Sequence, residues 1–246
     1  MSNPTSHPAS PNFAATRWTL ILRARGETPE ARVALGELCE GYYQPVLRFL
    51  RREGRDEDAA RELTQEFFAR ILGDGGFDQA DPGRGRFRSY LLGALKHFLA
   101  DQRKHEQRLK RGGGIAPESL DAPPTDGDHE PLQVADPSTP APETFFDREW
   151  ALAVMARALE ALEKEFTSVG KPDQFDALKP WLMGEAPSMS QADAARRLSL
   201  SEGAVKVVIH RLRKRFRDVV RAEIAQTLRD PSLVDEELGH LIEALA

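Results

Sequence analysis

The sequence predicts an all-α fold of two small helical domains joined by a flexible, Pro-rich acidic linker. Three observations carry this. Apolar residues recur at spacings of three and four along most of the chain, and the alternating β-branched runs that mark strands are missing. Residues 112–142, GGGIAPESLDAPPTDGDHEPLQVADPSTPAP, hold seven Pro and six acidic residues but no Lys or Arg. Such a stretch cannot bury enough apolar surface to offset its chain entropy. It separates a first domain over 16–111 from a second over 143–221, with a frayed tail at 1–15 and a helical extension at 222–246.

In the first domain the periodicity predicts helices at 16–25, 29–53, 56–72 and 89–110. Pro29 and Pro45 sit where a helix begins or bends, and Ser89 is placed to cap the last one. Between the last two helices, GDGGFDQADPGRGRFR reads as a loop. Its GRGR follows no strand and lacks the Lys-Ser/Thr ending of a phosphate-binding loop. In the second domain helices are expected at 147–166, 173–183, 190–198 and 202–221, followed by an amphipathic stretch at 234–245.

The chain has 246 residues, 34 Lys plus Arg, 39 Asp plus Glu, one Cys and a net charge of −5. The lone Cys39 can form neither an internal disulfide nor a Cys-based zinc site. No apolar run approaches the ~18 residues of a membrane helix, and the N-terminus lacks a secretory pattern. A cytoplasmic protein is the expectation. The net charge hides segregation. Residues 84–111 carry nine cations against Asp101 and Glu106, and residues 203–221 carry seven against Asp218, leaving −18 for the remainder. Two separated basic stretches in an acidic protein suggest two polyanion contacts and an acidic surface reserved for something else, although two solvated helical faces would give the same count.

The strongest motif is MSQADAARRLSLSEGAVKVVIHRLRKRF, residues 189–216. Ser190 can cap one helix and Ser201 the next, with Glu202 in a favourable first turn. The turn Ser199-Leu200-Ser201 is short, and Ala194 and Ala195 permit a close crossing. This describes a helix-turn-helix. At 100° per residue, Val205, Val208, Ile209, Leu212, Phe216 and Val219 share one face of the second helix. Lys206, His210, Arg213, Lys214 and Arg217 fall opposite, a basic stripe suited to the major groove and its phosphates.

Helix 89–110 repeats this logic, with Leu91, Leu95, Phe98, Leu99 and Leu109 on one face and Lys96, Ala100, Arg103, Lys104 and Gln107 on the other. Helix 56–72 differs. Asp58, Glu62, Gln65, Phe68 and Leu72 lie together, away from Ala60, Leu63, Phe67 and Ile71. Carboxylates mixed with Phe68 and Leu72 suggest a protein-binding face, or a side that packs on another helix of its own domain.

Three segments, YYQPVLRFLRREGRDEDAARELTQEFFARIL, FRSYLLGALKHFLADQRKHEQRLKR and SQADAARRLSLSEGAVKVVIHRLRKRFR, taken in this order and spacing, resemble regions 2 and 4 of a bacterial RNA polymerase sigma factor of the extracytoplasmic-function (ECF) type. The resemblance covers about 16–111 and 145–221. It implies that Asp58, Glu62, Gln65, Glu66, Phe68 and Leu72 bind core RNA polymerase through its clamp helices. It implies minus-ten promoter DNA contacts from Arg86, Phe87, Arg88, Tyr90, Lys96, His97, Arg103 and Lys104, where aromatics beside cations suit single-stranded DNA. It implies minus-thirty-five contacts from Ser201, Glu202, Lys206, His210, Arg211, Arg213, Lys214 and Arg217. Tyr90 stands where many relatives carry Trp, and His97 where Asn is common, which bears on the preferred minus-ten bases. In the family the linker runs toward the active centre and RNA exit channel, where an acidic chain can stand in for RNA.

The resulting expectation is a promoter-specific transcription initiation factor with no catalytic residues, metal or cofactor, whose partners are core polymerase, promoter DNA and a candidate regulatory protein such as an anti-sigma factor. Free protein is expected to bind DNA weakly. The main alternative is a stand-alone helix-turn-helix regulator whose first domain senses or dimerises. A decoy that holds polymerase without reading DNA is a further rival. The extension at 222–246, with Ile224, Leu228, Leu233, Leu238, Leu241 and Leu245 as an apolar stripe, either pads the second core or presents a helix to a partner.

Overall fold

Thr28 opens the first helix described: its hydroxyl accepts from Ala31 N at 3.2 Å and Pro29 occupies the first turn, where its missing N–H costs nothing. This helix, α1 (Pro29–Arg52), is the first element of a computed structural model that describes residues 28–73, 87–110, 140–182 and 189–246. Gly54 turns the chain at φ 87°, a conformation glycine adopts without Cβ strain. The Asp56 side chain then accepts from Ala59 N at 2.8 Å and starts α2 (Glu57–Leu72). Next come α3 (Phe87–Lys110), α4 (Pro142–Ser168), α5 (Pro172–Leu178) and a 3₁₀ turn at Lys179–Trp181. The chain closes with α6 (Gln191–Leu198), α7 (Glu202–Gln226), a 3₁₀ turn at Pro231–Leu233 and α8 (Val234–Leu245). The fold is all-α. The expected helix at 16–25, the loop at 74–86 and nearly all of the linker lie outside the described residues.

Several boundaries differ from the sequence reading. The helix expected at 173–183 ends as α5 at Leu178 and tightens into the 3₁₀ turn Lys179–Trp181, where Pro180 has no N–H to continue an α-helical ladder. α3 begins at Phe87, so Ser89 is an exposed residue of the first turn and not its cap. α4 begins at Pro142 because a proline is well tolerated at the first helical position, even at the end of a Pro-rich stretch. α7 continues to Gln226, since Val220 and Ile224 prolong its buried stripe.

The interior is one continuous apolar cluster to which both halves of the chain contribute. Phe49 of α1 meets Phe146 of α4 edge-on at 5.9 Å, and Trp150 of α4 is fully buried. Each such side chain contributes about 1.5–3 kcal/mol on burial. α4 runs through the middle, packing on α1 and α3 from the first half and on α5, α7 and α8 from the second.

Pro45 lies inside α1, where it can donate no hydrogen bond to the carbonyl of Gly41 four residues earlier. Arg157 of α4 supplies the donor instead, its Nη1 reaching Gly41 O at 2.7 Å while its Nε binds Glu223 of α7 at 3.2 Å. A Cβ at position 41 would stand 2.8 Å from Arg157 Nη1, so glycine keeps this approach open.

Candidate functional site

The outer face of α2 presents Asp58, Glu62, Gln65, Glu66 and Leu72 to solvent, and Leu72 is 46% exposed. Glu66 also accepts a 2.7 Å bond from Gln102 of α3. Phe68 does not belong to this face. It is buried, stacked on Tyr43 at 6.2 Å and tilted against Phe67 at 5.3 Å. α2 is gripped from two sides, by α1 at Tyr43 and by α3 at Phe98, which lies 5.6 Å from Phe67. A single-stripe reading assigns Phe68 to solvent because it places only one neighbour against the helix.

The residues expected at minus-ten DNA divide into two groups. His97, Arg103 and Lys104 are exposed on α3, Arg103 bonding Glu53 at 2.9 Å. Lys96 is also exposed and pairs with Glu143 of α4, whose carboxyl that ammonium holds below its ordinary range. Phe87 and Arg88, by contrast, face inward, against the expectation that they meet nucleic acid. Phe87 is fully buried and edge-on to Tyr42 at 5.1 Å. Arg88 is 7% exposed, with Nε 2.9 Å from Asp147 and Nη1 2.6 Å from Glu237, and its guanidinium lies 4.2 Å over the Trp150 ring. Tyr90 is half-buried, and its phenol is pushed up to about 12 by burial first and by the Cys39 charge second. Arg86 lies outside the described residues.

α6 and α7 are joined by the three-residue turn Ser199-Leu200-Ser201. Ser190 caps α6 by accepting from Asp193 N at 3.1 Å, and Ser201 caps α7 by accepting from Ala204 N at 3.2 Å. Ser199 takes the left-handed conformation at φ 53°, so that Leu200 N closes on Ala195 O at 2.9 Å. Val205, Ile209, Leu212 and Phe216 are buried, with Val208 and Val219 half-buried beside them. Ser201, Glu202, Lys206, His210, Arg211, Lys214 and Arg217 are exposed. Arg213 is partly engaged: its Nε donates to Trp181 O at 3.1 Å and ties α7 to the 3₁₀ turn before α6.

Sequence reasoning missed the buried polar node of Arg88, Asp147, Trp150 and Glu237. Its signal was faint, an acidic stretch at the start of α4 and one carboxylate inside the apolar stripe of the extension. Within that stripe Leu233 is 41% exposed, and Val234 and Glu237 take the inward positions instead. Among the described residues no group of three or more His, Cys, Asp or Glu side chains is arranged to hold a metal ion, and no helix is long and apolar enough to cross a membrane.

No curated protein and no solved structure matches the chain significantly. Residues 38–109, running from the middle of α1 through α3, match the family Sigma-70 region 2. The match, confined to these residues, supports a sigma-factor relationship and the part that region 2 takes in RNA polymerase binding and promoter melting.

Proposed function

We propose that the protein is an ECF-type sigma factor, acting in the cytoplasm, that brings core RNA polymerase to a particular set of promoters. The observation that carries this reading is the pairing of a Sigma-70 region 2 match with a second, chemically different surface beyond it, the basic outer face of α7 set behind a three-residue turn. In this reading α6 and α7 form a helix-turn-helix. Ser201, Glu202, Lys206, His210, Arg211, Lys214 and Arg217 meet the minus-thirty-five element, and Arg213 divides its donors between DNA and Trp181. Asp58, Glu62, Gln65, Glu66 and Leu72 form the clamp-binding face. His97, Arg103 and Lys104 track the minus-ten backbone.

The free energy divides between two kinds of contact. Cations on phosphates supply salt-dependent affinity, and each good base contact adds about 1–3 kcal/mol of discrimination. The segment at 112–142 links the two DNA-facing parts, and a regulatory protein of the anti-sigma type is a partner of the class this reading expects. Run-off transcription with core polymerase on genomic fragments tests it. Initiation downstream of a shared motif with two unlike halves is the expected result. Binding to a symmetric operator without polymerase would instead assign the protein to stand-alone regulators.

A further inference from the structure

Carboxylates from the second half of the chain converge on the cations of α3. Glu143 of α4 takes Lys96, and Asp147 of α4 and Glu237 of α8 together take Arg88. The contact at Lys96 is exposed and weak by nature, but the one at Arg88 is interior, where Glu237 is only 1% exposed and Trp150 lies beneath the guanidinium. We infer that α8 is an intramolecular strap, its Glu237 carboxylate occupying the Arg88 guanidinium in place of a nucleic-acid phosphate, so that the chain on its own is closed and Arg88, at the start of α3, is withheld from DNA until a partner displaces the strap, while His97, Arg103 and Lys104 further along the helix stay exposed. This rests on the reading that α3 meets nucleic acid.

The chemistry suits the substitution. A planar guanidinium presents donors in a fork that fits carboxylate and phosphate alike. The element delivering Glu237 is the extension at 234–245, which lies far beyond the residues matching region 2. Opening the interface between the halves exposes Phe146 and Trp150 as well, so the closed form dominates and DNA affinity is reduced by the fraction that is open. A buried ion pair holds such an interface less firmly than apolar side chains of equal volume, because both charges have been stripped of water. The contact is therefore releasable by a partner that binds the open form better.

The test uses full-length chain with spin labels at Ala69→Cys on α2 and Ala222→Cys on α7, both exposed positions; Cys39, buried with its thiol pushed up to about 12, stays unlabelled. Glu237→Gln, which keeps the shape and removes the charge, should add a population at longer distance and tighten binding of a mixed-sequence single-stranded oligonucleotide by about tenfold. Arg88→Met combined with Glu237→Met should do the reverse to the distance alone, giving a single short population. An unchanged distance distribution in Glu237→Gln, or opening in the double Met variant, overturns the strap. Longer distances with unchanged oligonucleotide affinity overturn the nucleic-acid reading of α3, and with it the occlusion.

Discussion

Arg157 Nη1 donates a 2.7 Å hydrogen bond to the carbonyl of Gly41, the helical carbonyl that Pro45 leaves without a donor. A proline in a helix interior ordinarily costs ~3 kcal/mol. Here α4 repairs the break from outside, and the repair also pins α4 to α1. Arg157→Ala should therefore lower the unfolding free energy by about 1–3 kcal/mol, the cost of stranding a part-buried acceptor. In a Pro45→Ala background, where the backbone regains an N–H that can serve Gly41 itself, the same change should cost markedly less. Urea unfolding of the four chains of this cycle measures the coupling, and additive losses would show that Arg157 acts elsewhere.

Phe68 and Leu72 are neighbours on α2 with opposite fates, one packed on Tyr43 and the other 46% exposed. Phe68→Ala should cost about 3–5 kcal/mol of stability, as core aromatics do. Leu72→Glu together with Glu62→Lys should leave the melting temperature within a few degrees yet abolish co-purification with core polymerase. Retention of polymerase by that double variant would remove the outer face of α2 from the docking surface.

The two fates show where the sequence was legible. Helix existence followed from the spacing of Leu, Phe and Val, and the caps Ser190 and Ser201 were recognisable because an N-cap is a local event between residues three apart. The buried stripe of α7 was legible for the same reason. What local pattern could not give was how many sides of a helix are covered. Phe68 and Arg88 are buried by α1, α4 and α8, elements remote in sequence, and Glu237 reads as a surface carboxylate until Arg88 is seen opposite it. The sharing of one core by both halves has the same origin, since Trp150 and Phe146 carry no mark of which neighbour they will meet.

Three acidic protons in the first half are held by burial. The Cys39 thiol is raised from 9.0 to about 12 and the Tyr90 phenol to about 12, while Tyr42 is driven higher still, in each case chiefly by loss of water. The folded chain keeps these protons when the unfolded chain has begun to lose them, so stability is fully present below about pH 9 and declines as pH rises toward about 12. Cys39 has the lowest ordinary value and sets the onset. Urea midpoints near pH 8 and near pH 10 should show a smaller alkaline loss for Cys39→Ala than for the parent chain. Equal losses would mean that the thiol is not shielded.

On α7 the exposed Lys206 and Lys214 and the partly engaged Arg213 should respond differently to removal. The ammonium groups of Lys206 and Lys214 tie α7 to no other element among the described residues, so replacing either by Ala should leave thermal stability within about 0.5 kcal/mol. If each neutralises one phosphate, each substitution should also reduce the slope of log affinity against log salt by about one for holoenzyme on its upstream element. Arg213→Ala removes the 3.1 Å bond to Trp181 O, and with it the link between α7 and the turn that precedes α6. Its expected signature is a stability loss of about 1 kcal/mol accompanying weaker binding. Parallel melting curves and salt titrations separate the two cases, and an unchanged salt slope in both Lys variants would take the basic stripe of α7 off the phosphate backbone.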